Sequence, residues 1–299
     1  MFTVQLRTQV DEKLIASRHG GDVTEEDIAF KPTSDIAVYK SNGQPLLFVF
    51  KRAVSQKEIE LALPGLNAMR ITSPSFKSNR KTYGGGPAYR KKEDGTVSNT
   101  TYGKSISSAI AGYFDRYPRF PFCRQTAFTA KEVEKWRDLQ PMIHTCAKLF
   151  KEHLPERYEN QDKVARKVHP DFQIAGTPFS TLTVNHNAVA KLHQDKGDLP
   201  DGFGVMTVIK EGSYDGFSLV FPRFRVGAEL ETGDVILFDP HEFHANVPPR
   251  NCSDDYHRIS VVMYFRKKMI ECGSAADEMR RAQKARGSLD IVANEGATE

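Results

Sequence analysis

From Gly176 to Phe265 the chain runs through FSTLTVN, FGVMTVIKEG, FSLVFP, DVILFDP and RISVVMYF, short β-rich runs parted by turn residues. None of the gaps between them reads as a helix. Parallel strands need a long crossover, usually helical, so this pattern predicts an antiparallel sandwich or jelly roll. The upstream half is different. DIAVYKSNGQPLLFVFKRAV (35–54) reads as a β-hairpin around Asn42-Gly43. SQKEIELALPGLNAMR (55–70) reads as a short helix, capped by Ser55 with Glu58 three residues on and broken near Pro64-Gly65. Residues 71–103 read as a long loop, SISSAIAGYFDRY (105–117) as a small-residue helix, and about 130–153 as an amphipathic helix carrying the lone Trp136, with one more after Pro155. The expectation is a mixed α+β fold. An N-terminal appendage (1–34) precedes a single domain (35–270), made of a hairpin, loop and helical layer (35–175) and a β core (176–268). A polar C-terminal helix or tail (271–299) follows.

With 299 residues the chain can bury a substantial core, and its net charge of +4 is mild. The four cysteines, Cys123, Cys146, Cys252 and Cys272, never form C-x-x-C. That spacing argues against a disulfide scaffold or a cysteine zinc site and suits a reducing compartment. No apolar run approaches a membrane span and the first residues lack a signal-like apolar stretch, so an intracellular, membrane-free protein is expected. Charge is concentrated in KSNRKTYGGGPAYRKK (77–92), which has six basic residues, including Arg80 and Lys81, and no acid. The run reads either as a solvated loop or as a phosphate-binding one with Tyr83 and Tyr89 able to stack on bases.

The chemistry lies in the β half. His193-x-Asp195 follows FSTLTVN, and HEFHANVPP (241–249) follows DVILFDP. Strand alternation puts residues 193 and 195 on one side. With a histidine from a second strand they form the two-histidine, one-carboxylate set that holds Fe(II) on one face and leaves open positions. His244 is preferred over His241 as that histidine, because Phe243 anchors it and a turn follows. His169-Pro-Asp171 has the same spacing but reads as a loop, while His186 and His257 read as ordinary surface or supporting histidines. Arg258, with Ser260 two residues on, opens the last strand. An arginine fork there can pair with the distal carboxylate of a 2-oxo acid, with the serine hydroxyl adding a bond; the alternative is an exposed strand-edge residue.

Taken together, GTPFSTLTVN, HQDKGDL, GFGVMTVI, FSLVFPRFRV, GDVILFDPHEFHANVPP and RISVVMYFR resemble the J-binding-protein and ten-eleven-translocation (TET) branch of Fe(II)/2-oxoglutarate dioxygenases. The upstream pieces resemble its small fungal, protist and phage members, and the likeness runs from about residue 35 to 268. It implies a double-stranded β-helix with flanking helices and oxidation, using O2, of the 5-methyl group of a pyrimidine in duplex DNA, in a nucleus or a bacterial or phage-infected cytoplasm. It implies His193, Asp195 and His244 as iron ligands and Arg258, Ser260 and Asn185 as 2-oxoglutarate contacts. It also implies Asp198 and Tyr264 as contacts of a flipped base. Arg266 stands where several such enzymes have a base-touching histidine. Arg124, Arg80 and Lys81 are further candidates for DNA contacts. Asp198 reads alternatively as a turn cap, Tyr264 as core, Arg266 as a surface cation, and Arg124 as a support of the helix layer. A carboxylate at 198 suits the N4 amine of 5-methylcytosine, giving 5-hydroxymethylcytosine. The alternatives are a thymine hydroxylase making 5-hydroxymethyluracil, and a non-catalytic DNA-binding module. A monomer is expected.

Overall fold

The computed structural model describes the backbone of residues 1–70, 72–74, 80–82, 87–91, 97–118 and 120–295, and the side chains of 1–70, 107–118 and 120–285. Strand β1 (Phe2–Leu6) and helix α1 (Glu12–Ser17) come first, then the hairpin β2 (Ile36–Lys40) and β3 (Pro45–Phe50). Helix α2 (Gln56–Ala68) precedes β4 (Thr72–Pro74), β5 (Arg80–Thr82), β6 (Pro87–Lys91), the long β7 (Val97–Phe114) and β8 (Arg124–Gln125). Helices α3 (Ala127–Lys131), α4 (Val133–His153) and α5 (Pro155–Ala165) form the helical layer. The β half follows with β9 (Thr181–His186), β10 (Ala188–Ala190), β11 (Gly204–Glu211), β12 (Leu219–Phe221), β13 (Val226–Ala228), β14 (Val235–Phe238), β15 (Ala245–Asn246) and β16 (His257–Tyr264). Helix α6 (Ala275–Glu295) closes the chain's described part.

The major sheet runs β1-β2-β3-β14-β11-β16-β9-β7-β4, and a smaller sheet, β13-β12-β15, faces it. This is the double-stranded β-helix with flanking helices. Alternation assigns the two faces of the major sheet. Leu182, Val184, Val205, Ile209, Val235, Leu237, Ile259, Val261 and Met263 pack with Ile59, Leu66, Leu139, Met142, Ile143 and Phe150 of the helices. Between the sheets, Met206, Val208, Ile236 and Phe238 meet Leu219, Phe221 and Val226. The opposite face of β16 therefore presents Arg258, Ser260, Val262 and Tyr264 to the space between the sheets.

Several local expectations hold and others change. The hairpin turns through Gly43 at φ +78°, which glycine adopts without strain. Ser55 and Glu58 form the reciprocal capping box, but α2 continues through Pro64. It does so because its buried stripe is shared with α4: a Cβ on Gly65 would stand 3.2 Å from the Lys135 carbonyl oxygen, so the two helices meet there backbone to backbone. Residues 105–117 are not a helix. They fall on β7 and the turn after it, paired with β9 from Ser108↔Asn185 to Gly112↔Thr181. Serine, alanine and isoleucine suit either state in isolation, and the exposed edge of β9 decided the matter. Part of the expected loop is also strand, since β4, β5, β6 and the start of β7 lie in 71–103. Arg80 and Lys81 sit on β5 against β10, while Tyr89 sits on β6; their side chains, and all of Tyr83, lie outside the described residues.

The N-terminal 34 residues are built into the core. β1 pairs in parallel with β2, and Ile15 and Val23 pack with Leu192, Phe243 and Ala245 beside the candidate metal ligands. The cysteine reading also needs correction. Cys123 and Cys272 form a disulfide across 149 residues, Cα to Cα 5.7 Å, and only the folded chain brings them together. Around it Arg116 pairs with the Glu278 carboxylate, which also accepts from the Cys123 amide at 2.7 Å.

Candidate active site

His193 and His244 are cross-strand neighbours. Each backbone N–H donates to the other's carbonyl at 3.0 Å, and the Asp195 amide is tied to the Pro240 carbonyl at 2.9 Å. The side chains are oriented by the same segments. His193 Nδ1 donates to the Lys191 carbonyl at 2.7 Å and His244 Nδ1 to that of Glu242 at 2.8 Å. A proton on each Nδ1 leaves each Nε2 lone pair free to ligate. Those Nε2 atoms lie 3.4 and 3.6 Å from the two oxygens of Asp195, and all three ligand atoms fall within 4.8 Å of one another. Cis ligands of one octahedral ion stand about 3 Å apart, so small side-chain shifts complete the site. Burial opposes ionisation of Asp195, but the imidazoles of His193 and His244 against its two oxygens outweigh that and hold the carboxyl well below its usual range.

His241 is excluded by register: its Nδ1 sits 3.4 Å from Asp239 and it does not join the cluster. His169 caps the turn Pro170–Phe172 through its own ring nitrogen, a local role. His186 and His257 are buried rather than at the surface. They stack and share a 2.9 Å hydrogen bond on the helix side of the sheet.

Arg258 is 3 % exposed, and its guanidinium lies over the Phe217 ring at 5.0 Å. It forms no ion pair among the described residues. Burial pulls its pKa down, the signature of a cation without a counter-ion. Asn185 and Ser260 face each other across β9 and β16, with Nδ2 to Oγ at 3.4 Å. They line one cavity with the three ligands, closed by Met206, Leu219, Phe238 and Val262. The donor set, its preset tautomers and the uncompensated guanidinium fit Fe(II) and a 2-oxo dicarboxylate.

At the rim, the backbones of Asp198 and Arg266 form an antiparallel bridge. The Asp198 side chain is buried, makes no side-chain hydrogen bond among the described residues, and is pushed upward in pKa by burial and by Asp195. Arg266 donates from Nε to Asp115 at 2.8 Å and stacks on Phe114 at 4.1 Å. Arg124 lies among Phe114, Tyr117 and Phe120 at 4.6, 4.9 and 4.8 Å, its Nη1 buried without a partner. Tyr264 bonds Thr183 Oγ1 at 3.0 Å. Sequence reasoning missed Asp115 and Phe114. No local signal marked them, because Ser107, Ser108, Ala109, Ile110 and Ala111 suit a helix or a strand and only pairing with β9 makes this segment β7.

A double-stranded β-helix holding two histidines and a carboxylate beside a buried arginine defines the class of 2-oxoglutarate/Fe(II) oxygenases. The chain belongs to the Tet_JBP family, the oxygenase domain of the 2OGFeDO superfamily, which matches residues 109–267. Thymine dioxygenase JBP1 of Trypanosoma brucei brucei is 38% identical over 189 residues, 62% of this chain and 22% of that protein. Thymine dioxygenase JBP1-B of Trypanosoma cruzi (strain CL Brener) is 37% identical over 195 residues, 63% of this chain and 23% of that one. The chain thus spans less than a quarter of the length of these relatives. The structure of NgTET1 in complex with 5mC DNA superposes with a TM-score of 0.56 at 10% identity, covering 92% of this chain and 100% of that one. That likeness is one of fold.

Proposed function

We propose that the protein oxidises the 5-methyl group of a pyrimidine in DNA, with thymine as the base and 5-hydroxymethyluracil as the product. The observation that carries this is the intact, pre-oriented triad beside a buried Arg258 that forms no ion pair among the described residues, in a chain similar over that segment to thymine dioxygenases. Iron and 2-oxoglutarate, when bound, supply the oxidant that turns a methyl C–H into C–OH, consuming O2 and releasing succinate and CO2.

The chain's own residues do the rest. Arg258 and Ser260 hold the cosubstrate's far carboxylate, and Asn185 sets the Ser260 hydroxyl. Met206, Leu219 and Phe238 keep water from the cavity. A stacked base cannot reach it, so the nucleotide is flipped, at about a few kcal/mol. Tyr264 stacks on the extruded ring, while Arg266, a donor held in place by Asp115 and Phe114, hydrogen-bonds a base carbonyl. Arg124, Arg80 and Lys81 take backbone phosphates.

A second reading, 5-methylcytosine, is favoured by the Asp198 carboxyl, which is buried, makes no side-chain hydrogen bond among the described residues and can accept from an N4 amine. Mass spectrometry of nucleosides from duplex DNA treated with protein, Fe(II) and 2-oxoglutarate separates the two. 5-Hydroxymethyluracil is expected; 5-hydroxymethylcytosine alone selects the second reading, and unchanged DNA rejects both. Iron-dependent succinate release rules out a purely binding module.

A further inference from the structure

The pocket around Arg258 contains a second buried polar group that neither the iron site nor the base site uses. Tyr214 follows β11 in the loop to β12 and is 7 % exposed, yet its hydroxyl makes no hydrogen bond of ordinary geometry among the described residues. Its ring is fixed on several sides. Phe217 meets it edge-on at 5.0 Å, Tyr256 at 6.1 Å, and the Lys210 ammonium lies over its face at 4.6 Å. Lys210 is the cross-strand partner of Arg258, and Phe217, which touches Tyr214, also carries the Arg258 guanidinium. The hydroxyl and the guanidinium thus interact in one small buried space. Tyr214 also lines an open surface cleft with Lys210, Asp215 and Asn251.

A buried hydroxyl with unfilled hydrogen-bonding capacity is costly, and a buried cation without a counter-ion is costlier still. One carboxylate placed against both removes both penalties. Burial pushes the phenol up to about 12, so it remains a neutral donor at physiological pH. We propose that the Tyr214 hydroxyl is a further donor to the distal carboxylate of the 2-oxo dicarboxylic cosubstrate, completing with Arg258 a clamp that selects a dicarboxylate. The inference rests on the reading of Arg258 as the carboxylate anchor.

The test is anaerobic calorimetry on the Fe(II)-loaded full chain, comparing 2-oxoglutarate with 2-oxobutanoate, which lacks the second carboxylate. Tyr214→Phe removes a single hydroxyl oxygen and leaves the packed ring in place, so the variant's unliganded Tm should not fall. Its 2-oxoglutarate affinity should weaken about tenfold or more, with 2-oxobutanoate binding unchanged. Equal 2-oxoglutarate affinity in the two proteins overturns the Tyr214 assignment alone. So does equal weakening for both ligands, or a lowered unliganded Tm, either of which marks a packing role. If the unmodified protein binds both acids equally, the Arg258 anchor fails, and the proposal with it.

Discussion

The triad end of the cavity and the rim formed by Asp198, Arg266 and Arg124 are built on opposite principles. At the iron end every ligand is fixed twice, by a backbone bond to a neighbouring segment and by a second bond or ion contact on the side chain. At the rim the charged groups are held by rings and single ion pairs. Among the described residues Arg124 Nη1 keeps unfilled hydrogen-bonding capacity, the Asp198 carboxyl is buried beside Arg266, and Arg266 depends on Asp115 and Phe114. The iron end is preorganised for one small ion, while the rim stores capacity for a ligand that arrives from outside. Preorganised ligands keep their geometry without substrate; unfilled donors gain theirs on binding.

The contrast can be broken at its strong end first. Asp195→Ala should abolish iron-dependent succinate release, a loss of about a thousandfold or more, while circular dichroism and Tm remain near those of the unmodified protein. Survival of turnover would mean that the triad is not the iron site. Arg258→Met comes next: the KM for 2-oxoglutarate should rise about 10–100-fold with kcat changed less, since the group binds cosubstrate and leaves the reacting carbon alone.

Behind the cavity, on the helix side of the major sheet, lies the buried His186–His257 pair, which makes a prediction about pH. Burial, with His257 beside it, lowers the His186 pKa to about 4, against 6.5 for an exposed histidine. The unfolded chain therefore binds the extra proton between those values. Stability from this group is complete above about pH 6.5 and is lost as pH falls toward 4, a change of about 2–3 kcal/mol. Urea melts at pH 7 and pH 4.5 should show that loss, and His186→Gln should flatten it. An unchanged slope in the variant would assign the acid sensitivity elsewhere. The smallest effect belongs to the rim. Asp115→Asn should lower kcat/KM on DNA about fivefold by loosening Arg266, while 2-oxoglutarate affinity stays unchanged. If cosubstrate binding falls in parallel, the two ends are not independent.

Patterns confined to a few residues were legible because their physics is local. The alternation of FGVMTVIKEG and RISVVMYF set which side chains enter the cavity. Ser55 and Glu58 announced the start of α2. His193-x-Asp195 announced its shared face. Residues 105–117 were illegible because serine, alanine and isoleucine satisfy both periods, and only pairing with β9 removes the ambiguity. His186 and His257 looked ordinary because nothing within a few residues shows that a helix carbonyl, that of Leu66, waits 3.1 Å from His186 Nε2.

The sequence by itself determined the iron-ligand chemistry, the alternation of the β core and the capped helix. The tertiary structure decided the rest. It chose His244 over His241 through register with His193, closed Cys123 on Cys272, set Asp115 against Arg266, and brought Tyr214 to Arg258. Periodicity and caps are written in neighbouring residues. Each of the other choices depends on contacts between segments distant along the chain, whose energies exist only once the sheets have paired.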